Sequence, residues 1–146
     1  MTLPWAYFDT SVLAKRYLNE PGSFQARILI RKNRCVTSIL TPVEIMSVLA
    51  RRRLTGELSD RAFTAIESRA TKDRERWEYV AISETLLRRA EQVVRGGGIK
   101  TLDAIHIAAA LLFQDDSGAR ISFISADRRQ SDAAAVFGMR VEPLIS

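Results

Sequence analysis

Apolar positions along this chain alternate between two rhythms from one end to the other. Short apolar runs at 5–8, 35–40, 79–82 and 121–124 read as strands. Each is followed by longer stretches in which apolar residues return every third or fourth position, the spacing that aligns them on one face of a helix. These stretches predict helices over 11–18, 23–32, 42–53, 61–76, 83–94, 101–113 and 130–137, and 140–143 reads as a fifth, edge strand. The segment over 61–76 is amphipathic, with Ala62, Phe63, Ile66 and Ala70 on one face. The one over 101–113 is apolar almost all round, so it is expected to be buried.

The punctuation agrees with this division. Asn19-Glu20-Pro21-Gly22 ends the first helix, Pro42 stands at the first position of the third, and Leu54 to Leu58 breaks the pattern before Ser59-Asp60 restarts it. Arg95-Gly96-Gly97-Gly98 reads as a flexible helix stop, and Asp115-Asp116-Ser117-Gly118 as a solvated turn. Strands that alternate with helices argue an α/β fold, with a mostly parallel sheet of four to five strands covered on both faces through right-handed crossovers. With 146 residues and no internal repeat or linker, one domain over 1–146 is expected.

Composition narrows the class. No stretch reaches the roughly 20 apolar residues that span a bilayer, and no basic-then-apolar leader opens the chain, so a cytoplasmic protein without a membrane partner is expected. The single cysteine, Cys35, has no partner for an internal disulfide and reads as a small buried hydrophobe. Net charge is +5, from 22 Lys and Arg against 17 acids, and nearly all the cations are arginine. The planar guanidinium suits phosphate, which makes RNA or DNA a natural partner; a solvated basic surface is the plainer alternative.

The chemistry lies in where the acids fall. In a parallel α/β sheet every strand ends, and the helix after it begins, at the carboxyl edge, where ligands bind. Asp9 ends the first strand, Glu44 lies in the first turn after the second, Asp103 opens the buried helix before the fourth, and Asp127 follows the fourth. Asp103 reaches this edge only if RGGGIK returns the chain there or the preceding helix lies across the sheet. Each acid also has an ordinary reading: Glu44 in a capping box with Thr41, Asp103 at a helix start behind Thr101, and Asp9 and Asp127 in Asx-turns. Four carboxylates crowded on one rim repel unless a cation neutralises them, and an all-oxygen set suits Mg²⁺ or Mn²⁺. Thr10 and Ser125 carry hydroxyls able to orient a metal-bound water. His106, three residues beyond Asp103, reads as a packed histidine with one hydrogen bond, with a ligand or general base as the alternative.

The succession FDTSVL, TPVEIMSVLARR, TLDAIHIAAALL and FISADRR, closing on AAAVFGMRV, resembles the PIN-domain ribonucleases, and among them the VapC-type toxins of toxin–antitoxin pairs. The resemblance implies a three-layer α/β/α sandwich and a Mg²⁺-dependent endoribonuclease leaving 5′-phosphate ends. Asp9, Glu44, Asp103 and Asp127 match the family's acidic quartet. Asp9, Asp103 and Asp127 are taken as metal ligands, and Glu44 as the group that positions or deprotonates water. Thr10 and Ser125 match the supporting hydroxyls, serine at 125 standing where threonine is more frequent. A homodimer and a small antitoxin of the VapB type are implied as partners, with RNA as substrate. Arg16, Arg51, Arg52, Arg128 and Arg129 lie near the motifs and are candidate phosphate contacts. A haloacid-dehalogenase-type phosphatase is a competing reading, weakened because Ser11 stands where a second aspartate is required; a non-catalytic module with an acidic docking rim is another.

Overall fold

The computed structural model describes residues 2–144. Five strands, β1 (Trp5–Phe8), β2 (Arg34–Ser38), β3 (Glu78–Val80), β4 (Ser122–Ser125) and β5 (Arg140–Pro143), form one sheet in the order β3-β2-β1-β4-β5. Every adjacent pair is parallel. The helices are α1 (Thr10–Lys15), α2 (Ser23–Lys32), α3 (Thr41–Leu54), α4 (Asp60–Asp73), α5 (Glu84–Gly97), α6 (Thr101–Ser117) and α7 (Arg128–Val136). No single helix is long and apolar enough to cross a membrane among the described residues.

Two cores follow from the strand pleat, in which successive side chains point to opposite faces. Ala6, Phe8, Cys35 and Ile124 pack with α1 to α4, whereas Tyr7, Val36 and Phe123 pack with α5 to α7. The chain thus moves outward through β2 and β3 with its helices on one face, then crosses to β4 and β5 with its helices on the other. Right-handed crossovers in opposite directions along a sheet require this arrangement. The reversal falls between β1 and β4, whose following helices lie on opposite faces; such a switch point opens a crevice at the carboxyl ends.

Several local expectations are corrected. The first helix ends at Lys15 rather than 18, and α6 continues to Ser117. Asp115 and Asp116 are therefore in a helical last turn, and Asp115 pairs with Arg89 of α5 at 2.9 Å. Gly96 and Gly97 are helical, and only Gly98, at φ 62°, ends α5. Their smallness serves packing: a Cβ on Gly96 would stand 2.9 Å from the Phe137 ring, and one on Gly97 3.5 Å from Ala133. Because the end of α5 reaches α7 in this way, α5 lies across the face from β3, and α6 turns from it at 118° to start at the carboxyl edge. Cys35 is buried, as its surroundings predict, and its thiol is pushed well above the usual range by that burial.

Candidate active site

Asp9 is delivered to the switch point by β1, where its amide donates to the Ile124 carbonyl of β4 at 3.0 Å. It is 6% exposed and caps α1, its Oδ2 accepting from the Ser11 amide at 3.0 Å. The expected Asx-turn is thus present, and it sets the carboxylate at the rim. Its Oδ1 accepts from Gln130 Nε2 at 3.0 Å. Gln130, 1% exposed, also donates to the Asp103 carbonyl at 3.3 Å, while its Oε1 accepts from the Ser125 hydroxyl at 2.6 Å. One side-chain amide therefore ties β1, α6 and the β4 loop together.

The second half of the site is built on α3 and α6. Glu44 does not reach back to Thr41, so the capping box is absent. Its Oε1 instead accepts from the Thr10 hydroxyl at 2.9 Å and lies 2.8 Å from His106 Nε2. His106 is 2% exposed, and its Nδ1 lies 2.8 Å from the Tyr7 hydroxyl. This corrects the reading of His106 as a packed histidine with one hydrogen bond: both ring nitrogens are engaged, and Nε2 stands 3.7 Å from Asp9 Oδ1. Burial opposes the charged imidazole, but the Glu44 hydrogen bond and the charges of Asp9, Glu44 and Asp103 outweigh it, raising its pKa above the ordinary histidine value. Burial, aided by Asp9 and Glu44, pushes the Tyr7 phenol far up, so Tyr7 stays neutral.

Asp103 lies in the first turn of α6 as expected, although the cap is Lys100 and Thr101 makes no side-chain cap. Burial, then the charges of Asp9 and Asp127, hold its carboxyl above the ordinary aspartate range. Asp127 is exposed and caps α7, its Oδ1 accepting from the Arg129 amide at 2.9 Å. Thr10 and Ser125 spend their hydroxyls on Glu44 and Gln130, so both orient protein groups rather than open space.

The all-oxygen donors suit a hard divalent ion, with Asp9, Asp103 and Asp127 bringing charge from three elements to one rim. The electrostatic cost at Asp103 is what a cation would relieve. Among the described residues, no three acid, histidine or cysteine groups stand close enough together to hold an ion as they are placed.

The five candidate arginines divide. Arg128 and Arg129 open α7 at the rim. Arg51 and Arg52 are in the last turn of α3, about 15 Å from its rim-side start at 1.5 Å per residue, and Arg52 is paired with Glu20 at 2.8 Å. Arg16 points to the amino edge and pairs with Asp73 at 2.7 Å. Gln130 and Tyr7 were missed as site residues. Gln130 had a signal: it shares a helical face with Ala133, Ala134 and Phe137, so a polar side chain interrupts an apolar stripe.

Against known proteins, the sequence model described as PIN domain matches residues 6–136. No curated protein sequence matches. A toxin-antitoxin complex from Klebsiella pneumoniae aligns at a TM-score of 0.59 and 20% identity, covering 84% of this chain and 86% of that one. A crystal structure from Pyrobaculum aerophilum aligns at 0.65 and 15% identity, covering 97% and 84%. Both likenesses are of fold.

Proposed function

Because this chain belongs to the PIN domain family, we propose that it is a metal-dependent endoribonuclease, the toxin of a toxin–antitoxin pair, with residues 1–146 as one such domain. PIN domains are generally nucleases, and the complex from Klebsiella pneumoniae supports an antitoxin partner. The observation that carries the reading is that acids from four segments act on one another at the β1/β4 switch point: burial and the charges of Asp9 and Asp127 raise the Asp103 pKa, and Asp9 and Glu44 both face His106, at 3.7 and 2.8 Å.

Asp9, Asp103 and Asp127 would hold Mg²⁺ or Mn²⁺. The bound ion supplies Lewis-acid polarisation of the phosphodiester and lowers the pKa of a water. Glu44, steadied at Oε1 by Thr10 and His106, keeps its Oε2 for the proton of the attacking water. Gln130 fixes the Asp9 carboxylate in one rotamer, and Arg128 and Arg129 take neighbouring phosphates. Water adds to phosphorus and the P–O3′ bond breaks, giving a 5′-phosphate and a 3′-hydroxyl. A homodimer in the cytoplasm is part of the same proposal.

The test is incubation of total cellular RNA with purified protein in Mg²⁺ or in EDTA, beside Asp9→Asn and Asp103→Asn, with product ends mapped. Metal-dependent cuts at few sites with 5′-phosphates, lost in both variants with the fold kept, are expected. Full cleavage by Asp9→Asn would sink the assignment.

A further inference from the structure

At the amino edge of the sheet, opposite the acidic rim, a cavity of about 420 Å³ opens where β1, β2 and β3 begin. Its lining includes Arg16, Arg31, Arg34 and Arg76 against a single carboxylate, Asp73. Asp73 is spent: its Oδ2 accepts from Arg16 Nε and the Tyr17 hydroxyl, each at 2.7 Å, and its Oδ1 lies 3.6 Å from Arg76. Among the described residues no ion pair joins Arg31 or Arg34 to an acid.

Arg34 is held ready. Its guanidinium lies 4.0 Å from the centre of the Trp5 ring, and its Nε donates to the Leu3 carbonyl at 2.8 Å. The stack and the single carbonyl fix the guanidinium plane, and among the described residues its two terminal nitrogens have no hydrogen-bond partner. A planar fork held in one place loses little entropy on meeting a phosphate, the geometry in which arginine binds bidentately.

We propose that this pocket is a phosphate-binding anchor for single-stranded RNA, separate from the rim and resting on the nuclease reading of it. Trp5 lines the pocket and Asp9 the rim, at the two ends of β1 and about 13 Å apart through the sheet at about 3.3 Å per residue; β1 is buried, so the path between them over the surface is longer and runs round the helices that cover it. A strand several nucleotides long, wrapped along one side of the molecule, touches both. The anchor adds affinity for longer RNA without contributing to bond cleavage. The ligand chemistry is the nucleotide phosphate, whether inside a chain or on a free mononucleotide.

The experiment is binding of a short fluorescent single-stranded RNA in EDTA, across a salt series, to the wild type, Arg31→Ala, Arg34→Ala, Arg34→Lys and the Arg31→Ala/Arg34→Ala double variant. Melting temperatures confirm the fold, and Arg31→Ala, which removes no ion pair, keeps the test independent of stability. The double variant is expected to bind about tenfold more weakly, its log–log salt slope shallower by about 0.7 for each arginine removed. Arg34→Lys falls between, because it keeps the charge and loses the stacked fork. Displacement of RNA by AMP from the wild type alone assigns the pocket to a terminal nucleotide; no displacement, with the arginine dependence kept, assigns it to phosphates within the chain. Wild-type affinity and slope in the double variant, or competition by polyglutamate as strong as by RNA, overturn the anchor. Cleavage intact alongside that result leaves the nuclease reading standing. Arginine-dependent binding without cleavage of any RNA sinks the nuclease and leaves the anchor.

Discussion

Gln130 Nε2 donates to Asp9 Oδ1 at 3.0 Å, joining α7 to the end of β1 across 121 positions of sequence. The Ser125 hydroxyl closes on Gln130 Oε1, so the amide has one orientation in which both ends are satisfied. A residue that holds a ligand without touching substrate typically changes activity by about 10–100-fold when removed.

Gln130→Leu is therefore expected to lower the cleavage rate at saturating Mg²⁺ by about 10–100-fold. It removes the short acceptor of the Ser125 hydroxyl proton and the donor to Asp9 Oδ1, leaving Ser125 only its bond from the Asp127 amide at 3.0 Å and a long contact to the Asp127 carbonyl, with a stability loss of about 1–3 kcal/mol. Denaturant unfolding and single-turnover cleavage check the two together. An unchanged rate with lowered stability would make Gln130 purely structural.

Tyr7→Phe removes the hydroxyl beside His106 Nδ1 and leaves that nitrogen buried without its partner, costing about 1–3 kcal/mol in urea unfolding. His106 itself has a raised folded-state pKa. Its contribution to stability is fully present below the unfolded value, about 6.5, and is lost as pH rises through the folded one. His106→Gln is expected to flatten the stability profile in that window.

Asp73 gives the opposite sign. Burial pushes its carboxyl up, but the Arg16 and Tyr17 hydrogen bonds, then the charges of Arg16 and Arg76, pull it below the ordinary value. The stabilisation is present above the unfolded pKa, about 3.9, and is lost as pH falls through the folded one. Asp73→Asn is expected to lose about 1–3 kcal/mol at neutral pH and to show a shallower acid limb in thermal melts.

Gly96 and Gly97 separate helix propensity from packing. Gly97→Ala meets only an ordinary contact with Ala133 and is expected to gain about 0.5–1 kcal/mol. At Gly96 the added methyl must displace the Phe137 ring, so Gly96→Ala is expected to forfeit that gain. Melting temperatures of the two variants decide it, and equal gains would overturn the packing account.

Mg²⁺ or Mn²⁺ is expected to stabilise the wild type by about 2.7 kcal/mol at a concentration 100 times the dissociation constant, and so to raise its melting temperature. Asp103→Asn should abolish this shift and melt higher than the wild type without metal, since it removes the carboxylate that burial, Asp9 and Asp127 oppose.

The order of strands and helices, the parallel sheet and the placement of four acids at its carboxyl edge were legible in the sequence. Each depends on period and on the rule that strands in one parallel sheet end on one side. Helix ends were less legible, because Gly96 and Gly97 look like stops until Phe137 and Ala133 are seen against them. What the chain order could not reveal was which polar groups meet across long separations. Glu44 chose Thr10 and His106 over its own helix cap, Gln130 turned inward to Asp9, and Arg16 left the rim for Asp73. Those choices belong to the tertiary structure, since a buried donor or acceptor takes whichever partner the packing of distant segments brings within reach.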